Sequence, residues 1–155
     1  MKIYHFPEND RRPFEVKCSL CYGSRFSNES FNSDLISEKL GLTPTKAWRK
    51  GDTRKPFTPH GKPSKFEFDF WWYSTDKVRT GEPEEVLWKL LDTILPLKEE
   101  LKSVSNEIQL GGVITVVIDC IEEVQPGFHL SAEILNKISE LNMEIGFDIY
   151  PFSEG

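Results

Sequence analysis

Cys18-Ser19-Leu20-Cys21 is the first place where residue type and spacing together suggest chemistry. Two thiols three apart suit a redox pair at a helix N-terminus, where the dipole lowers a thiol pKa, or one half of a zinc site. The surrounding residues argue otherwise. Glu15 to Tyr22 alternates, with Val16, Cys18, Leu20 and Tyr22 on one side and Lys17, Ser19 and Cys21 on the other. That is the period of a half-buried strand. Residues three apart on a strand point to opposite faces, so the two sulfurs cannot share a metal or a disulfide without a bulge. His5, His60, His129 and Cys120 supply no second ligand pair at metal-site spacing. Structural thiols are the expectation, with no metal and no cofactor.

Other catalytic patterns are no better supported. Serines and histidines are present without a Gly-x-Ser-x-Gly elbow. Gly111-Gly112 lacks the further glycine and helix start of a phosphate cradle. The carboxylate pairs Glu84-Glu85, Glu99-Glu100 and Glu122-Glu123 read as solvated helix or loop surface. The expectation is a chain that is not an enzyme.

Two candidate binding features remain. Between Lys46 and Lys65 stand seven basic residues and the single acid Asp52, a formal +6 inside a chain of net −6, so the other residues together carry −12. Within this basic loop, Trp48 can anchor the path on the core, Gly51 can take a turn denied to other residues, and Asp52 can tie back Arg49. Arg49 and Lys50 would then be held ready for a phosphate, a carboxylate or an acidic surface. The plainer alternative is that Trp48 and Asp52 only fix the loop while its lysines solvate it. The second feature is the aromatic run that follows. Phe66, Phe68, Phe70 and Trp72 alternate with Glu67, Asp69, Trp71 and Tyr73. With the phenylalanine side taken as the core, Trp71 and Tyr73 face outward beside an acidic rim. They then mark an interface, unless the N-terminal arm or the long loop covers them.

The elements that must position these residues follow from the same patterns. A polar arm over residues 1–14 precedes one domain over 15–152. Ser33 or Asn32 caps a short helix carrying Leu35, Ile36 and Leu40, which Gly41 ends and Pro44 prevents from continuing. A long loop spans Thr43 to Ser64, of a length that is uncommon without a function. Residues 84–103 form a helix that Pro96 must kink or restart. Asn106 to Ile121 is β-rich, read either as a hairpin at Gly111-Gly112 or as one strand with a glycine bulge. A helix after Ser131 and a strand with Ile145, Phe147 and Ile149 on one side close the chain. The order β-α-β, linking helix, β-α-β predicts an α+β fold. Its sheet should be mainly antiparallel, with four to five strands, helices on one face and a ferredoxin-like arrangement. A doubly wound sheet ranks lower, because most of these strands have one polar face.

Ile36 to Thr45, closing on Trp48-Arg49-Lys50-Gly51-Asp52, resembles the signature of the bacterial family catalogued as domain of unknown function 4279. Trp72 and Ser74, Leu95-Pro96 and Asp148-Ile149-Tyr150 also match its pattern, and the likeness covers about residues 15–150. It implies boundaries and fold rather than an activity.

Composition sets the remaining expectations. No apolar run reaches the roughly 18 residues of a spanning helix, and the first residues lack a signal peptide's apolar stretch. An odd count of three cysteines is no disulfide scaffold. A cytoplasmic chain is expected, with neither nucleic acid nor membrane among its partners. The functional expectation is a non-catalytic binding protein, of which an immunity-type inhibitor of a bacterial toxin is one form. Its partner would be another protein, or a second copy docked through the outer sheet face. The alternative is a small-ligand or phosphate-binding domain using loop 46–65.

Overall fold

The first alternating segment is a strand, β1 (Phe14–Gly23), whose Val16, Cys18, Leu20 and Tyr22 are fully buried on one face. The structure, a computed structural model, describes residues 12–23, 30–124 and 127–153. Most of the expected arm over residues 1–14 lies outside the described residues. Phe14 already belongs to the strand and is buried, and the carbonyl of Pro13 accepts from Ile121 N at 2.9 Å. Helix α1 (Ser33–Leu40) follows. Asn32 caps it by accepting from Asp34 N at 3.0 Å, and Gly41 closes it at φ 63° with its N–H on the Ser37 carbonyl.

The stretch expected as one irregular loop contains three short strands. β2 (Lys46–Trp48), β3 (Thr53–Arg54) and β4 (Ser64–Lys65) are followed by β5 (Phe70–Ser74) and β6 (Val78–Thr80). Strands of two or three residues are too short to show a period, which is why alternation missed them. β3 and β4 pair with each other in a separate ribbon, whereas β2 joins the main sheet beside β5.

Pro83 starts α2 (Pro83–Ile94) at a position where its missing N–H costs nothing. Pro96 sits in a 3-10 turn over Leu95–Leu97 and separates α2 from α3 (Lys98–Ile108). The expected β-rich segment from Asn106 is thereby corrected. Leu101, Val104 and Ile108 are buried at helical spacing and carry the helix onward until Gln109, at φ 57°, ends it. Gly111-Gly112 therefore forms neither a hairpin nor a bulge, and precedes the strand β7 (Val113–Cys120). Helix α4 (Ala132–Glu140), capped by the Ser131 hydroxyl, leads to β8 (Glu144–Tyr150).

The main sheet has the order β2-β5-β1-β7-β8, with β6 beside β1, and only β7–β8 is parallel. This is the expected α+β class, a mainly antiparallel sheet whose buried face meets the helices. The two β-α-β halves stand side by side, however. β1 neighbours β5 and β7 neighbours β8, without the interleaving of a ferredoxin-like order. The core lies between one sheet face and α1–α4. The sheet contributes Val16, Leu20, Tyr22, Ile114, Val116 and Ile118, and the helices contribute Ile36, Leu90, Ile94, Val104 and Ile134.

The covered side of the aromatic strand is the reverse of the expected one. Trp71 is 0% exposed, lies edge-on to Tyr22 at 6.1 Å, and donates from Nε1 to the Ser37 hydroxyl of α1 at 2.9 Å. Tyr73 also packs partly against the core. The register decides this. Tyr22 pairs with Trp71 and Leu20 with Tyr73, so both aromatics share the face of β1 that the helices cover. Phe70 and Trp72 turn to the open face. Asp69, placed by alternation on a solvated rim beside Trp71, is only 5% exposed, on the same covered side as Trp71.

Candidate functional site

Trp48 to Asp52 forms a tight turn held from three sides. Asp52 accepts the Arg49 N–H at 2.8 Å, while the Asp52 N–H donates to the Arg49 carbonyl at 3.0 Å. Gly51 sits at φ 92°, a left-handed geometry that favours glycine, and its N–H reaches the Phe66 carbonyl at 2.9 Å. Buried Asp69 accepts from Lys50 N at 2.9 Å and from Phe31 N at 3.1 Å, so one carboxylate ties this turn to the approach to α1.

Asp52 holds the backbone of Arg49, and the guanidinium goes elsewhere. It donates to Asn32 Oδ1 at 2.8 Å and pairs with Asp34 at 2.9 Å, at the N-terminus of α1. Arg49, Lys50 and Asp52 lie together in this turn, with the Arg49 guanidinium committed to Asn32 and Asp34. Lys50 is exposed.

Trp48 anchors the turn on the open sheet face and not on the main core. Its indole stacks between Phe66 and Phe70, each 4.3 Å away and within 12–17° of parallel, with Phe68 at 6.2 Å. Its buried Nε1–H finds no acceptor among the described residues. This aromatic stack floors a groove of about 970 Å³ between β2 and the β3–β4 ribbon. Lys46, Arg54 and Lys65 line its walls against a single carboxylate, Glu67, and Phe57, 94% exposed, lies 5.5 Å from the Arg54 guanidinium. Sequence reasoning passed over Phe57, Phe66 and Phe68 as site residues. Their signal was present, since these aromatics and the basic residues fall in one short segment.

The open sheet face continues from this groove. Trp72 is partly exposed there, with Lys17 Nζ at 4.9 Å and Lys46 Nζ at 5.4 Å from its ring centroid. Cys21 lies next to Trp72 on this face and Cys18 on the other, as strand geometry requires. Burial pushes the Cys18 thiol up to about 12, and burial also raises Cys21, helped by the nearby charge of Asp148. Neither is an activated thiolate. Among the described residues, no group of three or more His, Cys, Asp or Glu side chains is placed to hold a metal ion.

The pinned turn, the Asn32 cap and the Trp72 face all fall inside the span, residues 17–152, that matches the family model described as Domain of unknown function (DUF4279). The chain belongs to that family. No curated protein and no solved structure matches it. In this DUF4279 domain the Trp-Arg-Lys-Gly-Asp segment has a clear structural task, namely joining α1, the turn and β5. No helix among the described residues is long and apolar enough to cross a membrane.

Proposed function

We propose that this chain is a non-catalytic binding protein that takes an acidic stretch of another polypeptide in the groove between β2 and the β3–β4 ribbon. The observation that carries the reading is the combination of an aromatic floor, Trp48 and Phe66, with three cations on its walls, Lys46, Arg54 and Lys65. Exposed aromatics supply contact area, while cations at a rim select a partner of opposite charge. The +6 segment inside an otherwise acidic chain favours a short acidic segment over a long polyanion, which the rest of the surface would repel. An immunity-type inhibitor, which acts by occupying another protein, is one form of this function, and an adjacent toxin gene would support it. The small-anion alternative loses support, because the Arg49 guanidinium is committed to Asn32 and Asp34.

Fluorescence anisotropy with a labelled glutamate-rich peptide tests the reading, with a lysine-rich peptide and a single-stranded oligonucleotide as controls. Saturable binding to the acidic peptide alone is expected, weakened about tenfold or more by Arg54→Glu with Lys65→Glu. Equal binding by the variant, no binding, or preference for the oligonucleotide refutes it.

A further inference from the structure

We propose that the open face of the sheet is the interface of a homodimer, its occupant a second copy of this chain. The argument starts from the pairing register. Lys46 stands beside Trp72, Trp72 beside Cys21, Cys21 beside Val113, and Val113 beside Glu144. These five residues form one row across five strands, cationic at the β2 end, anionic at the β8 end and uncharged between. Cys21 is its midpoint. A two-fold axis lying along β1 reverses the row onto itself. Lys46 then faces the partner's Glu144, and Trp72 faces the partner's Val113. Interfaces of this kind must be self-complementary, and this row is.

Lys17, Val117 and Asp148 form a second charged row. In this row Lys17 stands on the axis itself, so the two copies of Lys17 meet there and each has to lean aside. Lys17 leans toward Trp72, the side on which the partner's Asp148 falls. Between the two rows lie Ser74, Ser19, Thr115 and Gly146, small residues that let two sheets approach to the usual spacing of about 10 Å. Glu144 and Asp148 make no ion pair among the described residues, and both are exposed. With strands about 4.8 Å apart and about 3.4 Å per residue, five strands offer roughly 500–600 Å² per copy. The total reaches the roughly 1,000 Å² that a specific interface requires.

Sedimentation equilibrium of the full chain, carried into the submillimolar range, tests the proposal. The wild type is expected to dimerise. Lys46→Glu and Glu144→Lys should each weaken the dimer about tenfold or more, and the double variant should recover most of that loss, because each exchanged charge again meets its opposite. A monomer at every concentration overturns the proposal and leaves the face to a different chain. A dimer indifferent to either single change, or a double variant no better than the singles, overturns it as well. Lys46 lines both the groove and this row, but Arg54 and Lys65 lie outside the row and Glu144 lies outside the groove, so the two readings fail separately.

Discussion

Replacing Trp71 and Trp72 in turn tests which side of β5 is covered, because adjacent residues of one strand face opposite ways. Trp71→Ala removes a 0% exposed indole, its edge-on contact with Tyr22 at 6.1 Å and its hydrogen bond to Ser37 at 2.9 Å. Loss of a fully buried large aromatic costs about 3–5 kcal/mol, a total that includes the ring–ring contact. Stability of roughly 0.05–0.15 kcal/mol per residue makes that a large part of the whole for this chain. Trp71→Phe keeps much of the apolar volume and strands the Ser37 hydroxyl, so about 1–2 kcal/mol is expected. Trp72→Ala loses partly exposed contacts with Lys17 and Lys46. Each is worth about 0.5–1 kcal/mol at an exposed site, so the total should stay below about 2 kcal/mol. Urea unfolding followed by circular dichroism, at chain concentrations low enough to keep the protein monomeric, measures all three. If Trp72→Ala proves as costly as Trp71→Ala, the assignment of faces is wrong.

The remaining expectations concern the pinned turn and the thiols. Gly51→Ala forces a side chain into φ 92° and should cost about 1–2 kcal/mol in the same unfolding assay, while Asp52→Ala, losing the bond to Arg49 N, should cost about 1 kcal/mol. Trp48→Phe keeps an aromatic ring between Phe66 and Phe70 and removes a buried donor without an acceptor, so a change under about 1 kcal/mol is expected. A loss above about 3 kcal/mol would mean that Nε1 has a partner. Cys18 rises from an ordinary value of 9.0 to about 12 in the folded chain, so the unfolded chain loses its proton first. Stability from this thiol is therefore full below about pH 9 and falls as pH rises toward 12, by at most about 1.4 kcal/mol per pH unit. Cys18→Ala should flatten that decline, and an identical pH profile for the variant would refute the attribution.

Local patterns were enough for most of the elements, because each depends on residues close in sequence. Period-2 alternation specified β1, Asn32 and Gly41 bounded α1, Pro96 divided α2 from α3, and Ser131 opened α4. The tie between Arg49 and Asp52 was legible for the same reason, since those two hydrogen bonds span three residues. The end of α3 was not legible from the glycines that follow it, because the helix is carried by Leu101, Val104 and Ile108 packing on the core.

What the tertiary structure decided is carried by distant contacts. Alternation grouped Trp71 with Tyr73 and Phe70 with Trp72 correctly, yet it could not say which group the helices cover. That choice follows from the register against β1, in which Tyr22 meets Trp71, and from Ser37 waiting on α1. The guanidinium of Arg49 likewise leaves its neighbour Asp52 for Asp34, fifteen residues away, and Asp69 serves two backbone donors from separate segments. A strand's period states which side chains share a face. Only the pairing of strands and the docking of helices determine which face meets water.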